Sequence, residues 1–237
     1  MSHSAQIAYW SLPVRDAERA QRFFGSVLRW TFSAPGSKGG VHVIESEPWG
    51  GLAPADRPFA TLAFSVADID AAVGRVRDLG GTATDPVDEG GHGPWSDCSS
   101  DTGMPFALFV RNPNLVEDAS TTTSTTAAQL SYGVLQVPDL DRATAFFGPL
   151  LGWEFKPGSG GGVHVVGSEP GIGLAPGERS GWAGAFAPDD LEAAVARVRR
   201  VGGTATDPAD VGGHGLWSDC TDDQGTTFAL FVPDAAG

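Results

Sequence analysis

Gly80-Gly81-Thr82-Ala83-Thr84-Asp85-Pro86 returns as Gly202-Gly203-Thr204-Ala205-Thr206-Asp207-Pro208, and Phe106-Ala107-Leu108-Phe109-Val110 returns as Phe228-Ala229-Leu230-Phe231-Val232. Both repeats step by 122 positions, as do His42 to His164, the Gly90-Gly91-His92-Gly93 turn, Trp95 and Asp97-Cys98. Further upstream the step is 123, from Phe23-Phe24 and Trp30 to Phe146-Phe147 and Trp153. One residue is therefore missing from the Gly-rich turn between Trp153 and His164. A chain written twice builds two similar structural halves.

Each half divides again. An extended segment runs into an Asp that opens a helix at Asp16, Asp68, Asp139 and Asp190, which spaces the modules just over fifty residues apart. The long middle step contains Asn112 to Gln129, where the run Ser120 to Thr126 has no apolar period and reads as a polar linker. The expected organisation is a first domain over 1–111, a linker over 112–129 and a second domain over 130–237.

After Asp16, the residues Ala17, Ala20, Phe23, Phe24, Val27 and Leu28 recur at three and four, the signature of a helix with one buried face. Ile69, Ala72, Val73, Val76 and Leu79 repeat the pattern and are closed by Gly80-Gly81, where a left-handed residue is wanted. The fourth helix offers a capping box from Asp189 to Glu192. Short alternating segments broken by Gly and Pro follow each helix, including Trp30-Thr31-Phe32, Val41 to Ile44, Thr82 to Thr84 and Phe106 to Val110, and read as strands. The pattern predicts an α+β fold of four βαβββ modules, with eight strands and two helices per half curled into open, mixed sheets. Module one could complete its cup with module two or with module four, since the linker spans either distance.

Fifteen basic against twenty-nine acidic side chains leave a net charge of −14, and no basic run is present to neutralise phosphates. Nucleic acid and anionic membranes are poor partners for such a surface. No charged and apolar leader opens the sequence and no apolar run is long enough for a membrane span, so a cytoplasmic protein is expected, as a monomer with an internal pseudo-dimer. Cys98 and Cys220 occupy equivalent positions, as duplication of one free, buried thiol would leave them.

The Val-x-Asp helix entries, Phe-Phe followed by Gly-Trp or Arg-Trp, and Asp-x-x-Gly before a Phe-Ala-Leu-Phe strand resemble the vicinal oxygen chelate superfamily in its tandem form. That group includes glyoxalases, bleomycin-resistance proteins, fosfomycin-modifying enzymes and extradiol dioxygenases. The resemblance implies a metal ligand seven residues before each helix-opening Asp, and a Glu in the final strand. Those positions hold Tyr9, Thr61 and Ala107 in one half and Tyr132, Ala183 and Ala229 in the other. Thr and Ala are poor donors, and Tyr must lose a proton of pKa about 10 to ligate. No metal and no cofactor are therefore expected.

On the strand that opens the second module of each half, Thr61, Ala63 and Ser65, or Ala183, Ala185 and Ala187, alternate toward the cup. Such small residues are expected to leave an open pocket, rimmed by Tyr9, Phe109, Tyr132 and Phe231. His42 alternates with Val41 and Val43, and with His164 is a candidate for ligand contact or proton transfer, beside Tyr9 and Tyr132; a hydrogen-bonded structural imidazole is the plain alternative. His92 and His214 lie between glycines on a rim turn. Trp10, Trp49 and Trp182 lack counterparts, being matched by Gly133, Gly171 and Ala60. Trp10 shares the parity of Leu12 and Val14 and is expected to pack, whereas Trp49 and Trp182 are candidates for stacking on an aromatic ligand.

The ligand-binding set expected from the sequence is Tyr9, His42, Trp49, Thr61, Ala63, Phe109, Tyr132, His164, Trp182, Ala185 and Phe231. The expected function is a metal-independent binding protein of the bleomycin-resistance type that holds an apolar or aromatic metabolite. The alternative is a lyase, isomerase or cyclase in which Tyr9 or Tyr132 and His42 or His164 replace the metal.

Overall fold

The computed structural model describes residues 4–36, 39–55, 62–88, 91–112 and 127–234. Thr61 and most of the expected linker lie outside them. The first half contributes β1 (Ile7–Val14), α1 (Ala17–Leu28), β2 (Val41–His42), β3 (Trp49–Pro54), β4 (Leu62–Ser65), α2 (Ile69–Asp78), β5 (Thr82–Ala83), β6 (Trp95–Ser99) and β7 (Pro105–Phe109). The second half contributes β8 (Gln129–Val137), α3 (Leu140–Leu151), β9 (Phe155–Pro157), β10 (Val163–Val165), β11 (Gly171–Pro176) and β12 (Gly181–Ala187). It continues with α4 (Leu191–Arg200), β13 (Thr204–Ala205), β14 (Ala209–Asp210), β15 (Gly215–Thr221) and β16 (Thr227–Pro233). The fold is the expected α+β class with two curled, unclosed mixed sheets. Among the described residues, no helix is long and apolar enough to cross a membrane.

One sheet runs β2-β3-β1-β4-β7-β6-β5 and the other β13-β15-β16-β12-β8-β11-β10-β9, with β14 on β15. The described sheets thus hold seven and nine strands rather than eight each. Trp30-Thr31-Phe32 forms no named strand and is joined to its neighbour by the isolated bridge Phe32 to Val43.

All four helices begin as the sequence dictates. Asp16, Asp68, Asp139 and Asp190 each accept the backbone N–H three residues on, at 2.9–3.0 Å, which satisfies one orphan donor of the first turn. Because Asp190 is the cap of α4, Asp189 and Glu192 do not form the expected capping box.

Packing divides the described chain into two compact units, one within 1–10, 59–120 and 134–182, the other within 11–58, 121–133 and 183–237. Module two therefore packs with module three in the first unit, and module one with module four in the second. In the first unit α3 lays Phe146 and Phe147 on Phe106, with ring centroids 6.1 and 5.4 Å away, and Trp153 meets Phe64 edge-on at 5.1 Å. In the second, α1 lays Phe23 and Phe24 on Phe228 at 6.2 and 5.3 Å, and Trp30 meets Phe186 at 4.8 Å. The two indoles donate to Ala5 O and Ala128 O, so each buried N–H is satisfied.

The repeated Gly-Gly has two separate causes. Gly80 and Gly202 adopt φ of 84° and 93° just past the C-caps of α2 and α4. At Gly81 and Gly203 a Cβ would stand 2.4 Å from a carbonyl oxygen and against Phe146 or Phe23, so the helix-packing phenylalanines require glycine beneath them. Cys98 and Cys220 are free and buried, as expected, and burial pushes each thiol up to about 11.

Candidate functional site

The ladder register decides which side chains share the cup face. In the first unit Tyr9 pairs with Ala63, Ala63 with Ala107, and Ala107 with Asp97. Cross-strand partners project to one face, so these four residues form a row across β1, β4, β7 and β6. The adjoining row carries Ser65, Phe109 and Trp95. Leu62, Phe64 and Phe106 point to the opposite face, where the helix packs.

Ala63 and Ala107 are fully buried, which corrects the expected open pocket. The cover is aromatic. Tyr9 stands on β1 and Trp95 on β6, three strand spacings or roughly 14 Å apart at the backbone, yet their ring centroids lie 6.1 Å apart at 80°. Both rings therefore lean inward over the alanines between them, and Phe109 completes the cluster 6.0 Å from Trp95. The Trp95 indole donates to Asp97 Oδ1 at 2.9 Å, two residues along on the same face.

The second unit repeats the arrangement. Ala185, Ala229 and Phe231 form a buried cluster on which Tyr132, Val211 and Trp217 pack. Phe231 lies 6.1 Å from Tyr132 and 5.5 Å from Trp217, and the Trp217 indole donates to Asp219 Oδ1 at 2.8 Å. Alanine on the strands and tryptophan on the neighbour are complementary sizes, so the small residues read from the sequence are the floor beneath a ring and not the wall of a void.

Tyr9, Trp95, Tyr132 and Trp217 keep part of their surface in solvent, and Asp97 and Asp219 are exposed. Each unit thus presents a partly wet aromatic patch bearing a phenol and a carboxylate. Burial pushes both phenols up to about 12, so at neutral pH they keep their protons and act as hydrogen-bond donors.

The other expected residues are distributed differently. His42 is exposed on β2 between buried Val41 and Val43; its parity is as expected, but its unshared face meets solvent. His42 and half-buried Trp49 belong to the second compact unit, whereas Tyr9, Ala63 and Phe109 belong to the first. His164, half-buried against Gly158, and Trp182 lie in the first unit, apart from Tyr132, Ala185 and Phe231. The grouping of each tyrosine with the histidine of its own half is therefore not what packing produces. Trp10 is buried, as expected. His92 and His214 are exposed on their Gly-rich turns. Trp95, Trp217, Asp97 and Asp219 are cup residues outside the set expected from the sequence, although the alternation Trp-x-Asp beside Ala-x-Phe carries that signal.

The divalent ion implied by the resemblance does not fit these residues. Ala107, Ala183 and Ala229 carry no donor, and each tyrosine holds its proton to about 12. Among the described residues no group of three His, Cys, Asp or Glu side chains could hold a metal.

A family model described as a glyoxalase-like domain matches residues 133–231. No curated protein matches the sequence. A 2,3-dioxygenase from Pseudomonas sp. KL28 is similar in fold, with a TM-score of 0.73 at 16% identity over 100% of this chain and 96% of that one. Homoprotocatechuate 2,3-dioxygenase from Brevibacterium fuscum, in complex with 3,4-dihydroxyphenylacetate, gives a TM-score of 0.73 at 17% identity over 99% and 83%. The Mn(II)-bound glyoxalase from Novosphingobium aromaticivorans gives 0.72 at 16% identity over 98% and 83%. The resemblance to the vicinal oxygen chelate superfamily therefore stands, as a glyoxalase-like domain in the second half and as a fold throughout. The expected metal-independent binding protein does not stand. Structures that share the fold include dioxygenases and a glyoxalase bound to Mn(II), so the likeness extends to enzymes, a metal-loaded one included.

Proposed function

We propose that the chain is an enzyme of the glyoxalase and ring-cleaving dioxygenase type that acts on a small aromatic molecule carrying ring hydroxyls. The observation that supports this is the constellation built twice on the cup face: Tyr9, Trp95, Phe109 and Asp97, and again Tyr132, Trp217, Phe231 and Asp219. The partly exposed rings offer an aromatic surface for the substrate ring. The phenol donates to a substrate oxygen, and the carboxylate accepts from a ring hydroxyl. The diol class comes from the neighbours, one of which is complexed with 3,4-dihydroxyphenylacetate. Since the three positions of the family ligand set do not fit an ion, no step is routed through one.

Calorimetric titration with catechol and 3,4-dihydroxyphenylacetate, followed by chromatography for loss of the diol with and without added divalent ions, tests the reading. Saturable binding is expected, weakened about tenfold when Tyr9→Phe and Tyr132→Phe remove a hydrogen bond worth about 1.5 kcal/mol. Absence of binding, binding indifferent to both substitutions, or a diol bound but never consumed overturns the proposal.

A further inference from the structure

The backbone of Trp95 is held between two neighbouring segments. Its N–H and C=O exchange hydrogen bonds with Val87 at 3.0 and 2.9 Å, and its other side is in register with Phe109. Trp217 is held in the same way between Ala209 and Phe231. Neither tryptophan can leave its place by backbone motion without breaking a ladder, so their freedom lies in the side-chain torsions. What fixes those torsions on the polar side is one hydrogen bond to an exposed carboxylate, Asp97 or Asp219. On the cup face beside the rings lie Ala63 and Ala107, or Ala185 and Ala229, none more than 1% exposed.

We infer that each indole–carboxylate pair is a latch on a hidden pocket. With the indole in place the cup is filled; with the indole turned outward, Ala63, Ala107 and Phe109, or Ala185, Ala229 and Phe231, line a void of the size and polarity of one aromatic ring. An apolar cavity of about 150 Å³ is sufficient to take up benzene. This inference rests on the aromatic-substrate reading: the substrate ring enters the space the indole vacates, while its hydroxyls remain at the phenol and carboxylate on the rim. Besides meeting the substrate hydroxyl, Asp97 and Asp219 then act through the tryptophans and set how often each pocket is open.

Benzene, which needs no polar partner, is the probe that separates the latch from the proposed chemistry. Its binding is measured by thermal shift and by ligand-observed resonance in three proteins. These are the unaltered chain, the doubly substituted Asp97→Ala with Asp219→Ala, and Trp95→Ala with Trp217→Ala. Affinity is expected to rise about tenfold on removal of the carboxylates, a shift in the open population of that size, and further on removal of the indoles. Fluorine-labelled tryptophan in the carboxylate variant supplies a readout independent of the core substitution. The Trp95 and Trp217 resonances, assigned by Trp→Phe changes, are expected to move toward the solvent-exposed position while the other five stay. Equal benzene binding in all three proteins, or unmoved resonances, overturns the latch. If catechol fails to bind but the benzene series holds, the latch stands and the proposed substrate falls.

Discussion

The two aromatic patches share their Tyr, Phe, Trp, Asp and paired Ala side chains, differ in that Val211 of the second is matched in sequence by Glu89, and are unlike in how their strands are sewn. In the first unit Ser65 on β4 exchanges hydrogen bonds with the backbone of Gln6, at 3.3 Å each way. In the second, Ala187 takes the place of Ser65 and the hydroxyl has moved to Ser131 on β8, where it donates to Ala185 O and Phe231 O at 3.1 and 3.3 Å. The counterpart of Ser131 is Ala8. A backbone polar group can be satisfied from either neighbouring strand, so the tie is interchangeable. A tryptophan over two alanines is a match of volumes, and neither member can change alone.

The largest expected effect breaks that match. Ala63→Trp and Ala185→Trp should each cost about 1–3 kcal/mol, because both alanines are fully buried where the added ring would go. Chemical denaturation of the two variants checks this, and unequal losses would reveal which patch is packed more tightly. A stability left unchanged at either site would mean that its alanine floor is not covered.

Alkaline titration comes next in size. The chain has only Tyr9 and Tyr132, so tyrosinate absorbance reports the patches alone. Each folded pKa is raised from 10.0 to about 12, so the stabilisation is fully present below pH 10 and is lost as the pH climbs to 12. The loss should be on the order of 1–2 kcal/mol for Tyr9, after allowance for its partial exposure. A common midpoint near 10 would contradict the burial of both phenols.

The smallest effect concerns the helix ends that flank the two units. Gly152 closes α3 at φ 67°, whereas Arg29 closes α1 at φ 59° with a side chain that resists this conformation. Arg29→Gly should raise stability by about 0.5–1 kcal/mol, less the little contributed by its exposed ion pair with Asp189 at 3.6 Å. A lower melting temperature would show that the ion pair outweighs the backbone.

Local chemistry made much of the fold legible. Four aspartates before apolar stripes fixed the helix starts, since a cap and its N–H lie three residues apart. The Gly-Gly ends and the repeat itself are likewise short-range signals. The parity of β4 and β7 correctly told which residues leave the helix side. It could not tell what lies above them.

That question belongs to tertiary structure alone. Trp95 and Tyr9 are 86 residues apart in sequence and meet only because β4 and β7 place their strands at the right separation. Alternation assigns a side chain to a face, yet an alanine beneath a ring and an alanine beside a void have the same sequence signature. The sequence by itself determined the duplicated α+β modules, their caps and the residue types that stand at the three family positions. Packing decided that module two joins module three and that the cup is filled, because buried volume is set by every neighbour at once and not by the spacing along any one strand.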